Sequence, residues 1–145
     1  MSLFSLISVS ASGMAAQRTR AELLVQNLAN SETTRTPEGG PYRRQDVIFQ
    51  SAPQTSPFSA VFQTEIAQGV EGVDVAEVIQ DPSEGEKRYQ PSHPDADKDG
   101  YVAYPNVNPA EDMVDLLSAQ RGFAGNVAAI SAIKDMIQSS INLLK

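Results

Sequence analysis

NPAEDMVDLLSAQRGFAGNVAAISAIKDMIQSSINLLK, residues 108–145, reads as one long amphipathic helix. Asn108 suits the N-cap. Pro109 suits the first helical position, where a missing N–H loses no intrahelical bond, and Glu111 stands where a capping-box acid would. Beyond that start, Met113, Leu116, Phe123, Val127, Ile130, Ile137, Ile141 and Leu144 recur at alternating steps of three and four. Gln120 and Lys134 interrupt the stripe on the same register, where a polar residue costs stability and can specify pairing. A stripe of this kind needs a partner surface.

Residues 3–30 carry a second stripe with the same spacing, Leu3, Ile7, Ser10, Met14, Gln17, Ala21, Leu24 and Leu28. Small residues surround its single glycine, Gly13, which would let another helix approach closely, and its weakly capped first turns are expected to fray. Two long helices packed only on each other make a thin hairpin. The apolar burial of one residue in two or three is close to break-even against the entropy of ordering the chain. More neighbours are needed, and that points to assembly.

Between the helices the composition changes. Ser31–Thr36 is polar and β-branched, and Pro37-Glu38-Gly39-Gly40-Pro41 is a turn cluster. Strands are expected at 42–50, weakly at 60–66, and at 72–79, with a loop at 51–59 and a further strand entering at Tyr101. The reading is an α+β chain in three parts: a helix within 1–34, a small β-rich region at 35–107, and a helix within 108–145.

The net charge of −7 is concentrated in the middle, with +2 over residues 1–44, −10 over 45–112 and +1 over 113–145. An acidic centre argues against nucleic acid as a partner, and low-charge ends suit packing against protein. With no cysteine, thiol catalysis, disulfides and sulfur-ligated metals are excluded. The start, Met1 to Ile7, is apolar but has no basic residue before Arg18, so it lacks the charged leader of a secretory signal. No stretch approaches the length of a membrane span.

Candidate chemistry is sparse. Asp95-Ala96-Asp97-Lys98-Asp99-Gly100 copies the opening half of a calcium-binding EF-hand loop, with acids at alternate positions and a turn glycine. Asn106 then occupies the place of the bidentate Glu, and Pro91 and Pro94 stand where the entering helix belongs. A calcium-binding module is the alternative reading; the simpler one is an Asp turn leading into a strand at Tyr101. His93 is the only histidine and suits a loop residue with one ring nitrogen bonded to backbone. The carboxylate pairs lie in apparent turns with no apolar pocket, and no glycine loop resembles a phosphate cradle. No catalytic, cofactor or metal site is expected, and an enzyme that cuts the cell wall is disfavoured for the same reason.

Ser12-Gly13-Met14, then Asn27-Leu28-Ala29-Asn30 with Thr33 or Thr36 after it, resembles the N-terminal signature of the rod, hook and related axial proteins of the bacterial flagellum. Pro41-Tyr42-Arg43-Arg44, Val47-Ile48-Phe49, Gly72-Val73-Asp74-Val75, Tyr89-Gln90-Pro91 and His93-Pro94-Asp95-Ala96-Asp97 are similar to the proximal-rod members of the flagella basal body rod protein family. Gly100-Tyr101-Val102, Pro105-Asn106-Val107, Glu111-Asp112-Met113, Ala119-Gln120-Arg121 and Asn126 continue the match. Gly122 and Gly125 depart from it, each weakening a helix by about 1 kcal/mol relative to Ala, and 51–70 has no matching motif.

The resemblance implies a structural subunit of the basal-body rod, the shaft that spans the periplasm and carries torque from motor to hook. It implies passage uncleaved through the flagellar export apparatus and assembly with copies of itself and with other rod proteins. Paired terminal helices are implied to line the export channel, coiled-coil-like, with the acidic middle further out.

Overall fold

The computed structural model describes residues 3–53 and 71–143. Helix α1 covers Leu3–Ala29 and helix α2 covers Pro109–Leu143; between them come strands β1 (Gln45–Pro53), β2 (Glu71–Gln80), β3 (Lys87–Tyr89) and β4 (Tyr101–Ala103). The α+β architecture of two long end helices around a small strand region is therefore the one the sequence indicates. The expected strand at 60–66 and Leu144 lie outside the described residues.

Local chemistry sets the element ends. Asn108 caps α2: its Oδ1 accepts from the Ala110 N–H at 3.2 Å, while its carbonyl accepts the first helical bond from Asp112 N–H. At the other end of the chain, α1 stops where Asn30 and Ser31 fold their N–H groups back onto Gln26, Asn27 and Leu28. The first strand begins three residues later than its apolar pattern suggests, at Gln45, and runs to Pro53 through part of the expected loop. The reason is local: Tyr42 N–H is already used by Thr33 O, and Tyr42–Arg44 is therefore held as a turn exit rather than a ladder.

Among the described residues two sheets of two strands result, β1 with β2 and β3 with β4. Asp81 N–H donates to Arg44 O just outside one end of the first pair, and the Ser51 hydroxyl bonds the Glu71 carboxylate at the other, so β1 and β2 run antiparallel. Strand β3, a segment without a strand signal of its own, pairs antiparallel with β4 in the register Lys87 to Ala103, Arg88 to Val102 and Tyr89 to Tyr101. The Tyr89 and Tyr101 rings meet edge to face with centroids 5.4 Å apart, and Arg88 lies over the Tyr104 ring at 4.6 Å.

The described residues divide into two compact units, one of 3–19, 49–53, 71–76 and 119–143, the other of 20–48 and 77–118. In the first, α1 and α2 segments approach with Gly13 against Asn126 and Gln17 against Gly122, an antiparallel pairing, and the Ser12 hydroxyl accepts from Val73 N–H on β2. In the second, Arg20 reaches Asp115 at 3.3 Å, and Leu24, Asn27, Val102 and Asp112 are buried. No described helix is long and apolar enough to cross a membrane.

Candidate functional site

Asn27 is fully buried, with 0% of its surface exposed, on the last turn of α1. A buried amide must be satisfied. Its Nδ2 donates to Gln45 O at 2.8 Å, and its Oδ1 accepts both Gln45 N–H and the Tyr42 hydroxyl, each at 2.9 Å. One side chain thus takes the part of a neighbouring strand at the first residue of β1. Beside it, Arg44 Nη2 donates to Asp112 Oδ1 at 3.0 Å, tying the entry to β1 to the first turn of α2.

Asp112 is 1% exposed, and its second oxygen, like Arg44 Nε, is buried without a partner among the described residues. Burial raises the Asp112 pKa and outweighs the opposing pull of Arg44, with Glu111 and Asp115 raising it further. Burial also raises Tyr42, and the neighbouring Asp112 charge adds to it. Asp81 is lowered instead, chiefly by the hydroxyl and amide of Ser83, with help from the Asn106 side chain.

The Asp-rich loop folds as a turn around Asp97. Asp97 Oδ1 accepts the N–H groups of Asp99 and Tyr101, each at 2.9 Å, and Gly100 turns with φ +83 while its N–H reaches Asp97 O. Asp95 accepts from the Thr34 hydroxyl at 2.8 Å and pairs with Arg35 at 3.6 Å. His93 Nδ1 accepts from Asp95 N–H at 3.1 Å, the backbone-bonded loop role its surroundings suggest. Among the described residues no three His, Asp or Glu side chains gather as a metal site. Geometry therefore supports the Asp turn.

The motif residues divide by role. Asn27 and Tyr42 belong to the polar knot, while Asn30 closes α1 and Asn106 holds Asp81. His93, Asp97, Gly100 and Tyr101 build the turn, and Pro105 is buried. Leu28 and Pro41 are half-buried; Ala29, Arg43 and Pro94 are exposed, with Arg43 near Pro82 O.

The helix stripes are placed differently from their spacing. Leu24 is buried, Ile7, Met14 and Leu28 are half-buried, and Leu3 is exposed. On α2, Leu116, Ile130 and Ile137 are half-buried, but Met113, Phe123 and Val127 remain 58%, 40% and 46% exposed, with Ile141 also outward. The inward set lies one residue earlier: Asp112, Ala119, Asn126 and Ile133 replace Met113, Gln120, Val127 and Lys134. Two local causes contribute: Arg44 draws Asp112 inward, and the small Ala119 with Asn126 against Gly13 allows a close helix approach. Gln120 and Lys134 are accordingly exposed, on the outward face of α2. Of the two glycines, Gly122 meets Gln17 whereas a Cβ at Gly125 would meet nothing within 4 Å. The Arg44–Asp112 tie carries no sequence signal beyond an acid in a helix's first turn, which ordinarily stays in solvent.

Residues 98–143, from the Asp turn through α2, match the family model described as flagellar basal body rod FlgEFG protein C-terminal. The whole chain aligns with a flagellar basal-body rod protein FlgC of Borreliella burgdorferi at 41% identity, covering 100% of this chain and 99% of that one. The chain belongs to the flagellar basal-body rod protein FlgC family. A Bacillus subtilis FlgC is 38% identical over 100% of both chains, and a Salmonella typhimurium FlgC 33% identical over 99% of this chain and 98% of its own. Family membership makes this a rod protein of the bacterial flagellum's basal body, a structural component.

Proposed function

We propose that the chain is a non-catalytic subunit of the proximal rod. In this reading α1 and α2, within 1–34 and 108–145, form the inner layer around the export channel, and 35–107 makes lateral contacts further out. Its partners are copies of itself and other rod proteins, and it reaches its place through the flagellar export apparatus. Torque passes through many modest contacts, so stiffness comes from their number.

The observation that supports this most is the outward stripe on α2. Met113, Gln120, Val127, Lys134 and Ile141 recur every seven residues and are exposed, with Phe123 beside them. Seven-residue spacing keeps a stripe facing one neighbouring helix; its exposed apolar residues, Met113, Val127 and Ile141, favour association in water, and the polar Gln120 and Lys134 between them specify pairing. The test is Phe123→Asp with Val127→Asp. Cells should lose motility and yield no assembled rods, while the purified chain keeps its helix content and melting midpoint. Intact rods built from that variant would contradict the reading.

A further inference from the structure

The contact between α1 and α2 in the first unit has an unusual composition. A Cβ placed on Gly13 would lie 3.0 Å from Asn126 Oδ1 and 3.1 Å from its Nδ2; one placed on Gly122 would lie 3.2 Å from Gln17 Cδ. Each helix therefore offers a glycine to the other's amide side chain. The two pairs are four residues apart on both helices, one turn, so the arrangement is reciprocal and antiparallel. Asn126 Nδ2 donates to Gly122 O at 3.0 Å, which pins the amide to its own helix and aims it at Gly13. Gln17 Oε1 is buried with no partner among the described residues.

We propose that Gly13, Gln17, Gly122 and Asn126 form a register lock that selects one antiparallel alignment of the two helices at a cost in stability. The surroundings explain the need for one. The inward positions nearby are small, Ala16 and Ala119 being buried on their respective helices, and small apolar residues pack almost equally well after a slip by one turn. Glycine and amide do not: a slip one way sets Asn126 against Val9 and Gln17 against Ser118, and a slip the other way crowds the two amides against each other, so neither keeps its glycine hollow. An unpaired Gln17 oxygen is the mark of a device kept for alignment, since an apolar side chain there would avoid the penalty. Register decides which side chains of the two helices stand level with one another on the outer surface, so the lock governs the surface the hairpin presents.

The absence of native cysteine makes the test direct. Spin labels attached through Ala15→Cys and Ala124→Cys report the alignment in the full chain, both sites being exposed. The parent chain should give one narrow distance. Gln17→Leu with Asn126→Leu should keep or raise the melting midpoint and add a second distance population, the signature of lost register without lost stability. Gly13→Asn with Asn126→Gly, which moves one amide to the opposite helix, should return a single distance. A leucine variant that keeps one distance, or that unfolds, would overturn the lock, the second because the amides would then serve stability. A swapped variant with scattered distances would overturn it equally.

Discussion

The side-chain amide of Asn27 holds both the N–H and the carbonyl of Gln45, at 2.9 and 2.8 Å, and so starts strand β1 from a helix. Asn27→Ala takes the partner from three part-buried groups at once: the amide and carbonyl of Gln45 and the Tyr42 hydroxyl. Each such hydrogen bond contributes about 0.5–1.5 kcal/mol, so the variant should lose about 1.5–4.5 kcal/mol in denaturant unfolding. A loss below about 1 kcal/mol would show that water replaces the amide.

Arg44 and Asp112 should behave as a pair. Asp112→Ala leaves a half-buried guanidinium without its carboxylate and is expected to cost about 1–3 kcal/mol. Arg44→Met combined with Asp112→Leu should recover most of that loss, because it removes both charges and both orphaned atoms, Nε and Oδ2. A double variant as unstable as the single would indicate that the pair's hydrogen bonding, not its desolvation, dominates.

The same carboxylate gives stability a pH dependence of unusual sign. With its pKa raised in the folded chain, Asp112 binds a proton more readily folded than unfolded between the ordinary carboxylate value, about 3.9, and its raised value. Its contribution to stability therefore falls as pH rises through that window. Asp81, lowered, acts oppositely: its stabilisation is present above the ordinary value and is lost as pH falls through its folded one. Unfolding measured between about pH 4 and 7 should gain a steeper loss toward acid in Asp112→Asn, because the opposing group is gone. An unchanged slope would mean Asp112 titrates as an ordinary carboxylate.

How far the sequence discloses this molecule depends on which atoms carry the information. Apolar spacing located α1 and α2, and Asn108-Pro109 placed the start of α2 to the residue, because caps and periodicity are local. The phase of the α2 stripe was not legible, since Asp112 and Asn126 are inward and only their partners Arg44 and Gly13, distant in the chain, make that tolerable. Strand β3 was hidden for a similar reason: Lys87-Arg88-Tyr89 is a strand only because Tyr101-Val102-Ala103 lies beside it. The Asp turn was legible because its bonds stay within a few residues.

That turn predicts its own mutational cost. Gly100 has φ +83, and a Cβ there would lie 2.9 Å from Tyr89 Cε2, so Gly100→Ala meets both backbone strain and a ring. A loss of roughly 1–2 kcal/mol is expected from the left-handed backbone alone. Calcium titrated to millimolar levels should leave Tyr101 fluorescence unchanged, since Asp95 and Asp97 are engaged with Thr34 and the turn backbone. A saturable response would revive the calcium reading.

Hydrogen exchange of α1 and α2, compared between the free chain and assembled rods, tests most directly whether the helices' exposed faces are assembly faces. Both helices are expected to exchange markedly more slowly in the rod, with the largest gain around Phe123 and Val127. Equal exchange in the two states, or protection gained only between residues 87 and 103, would contradict it.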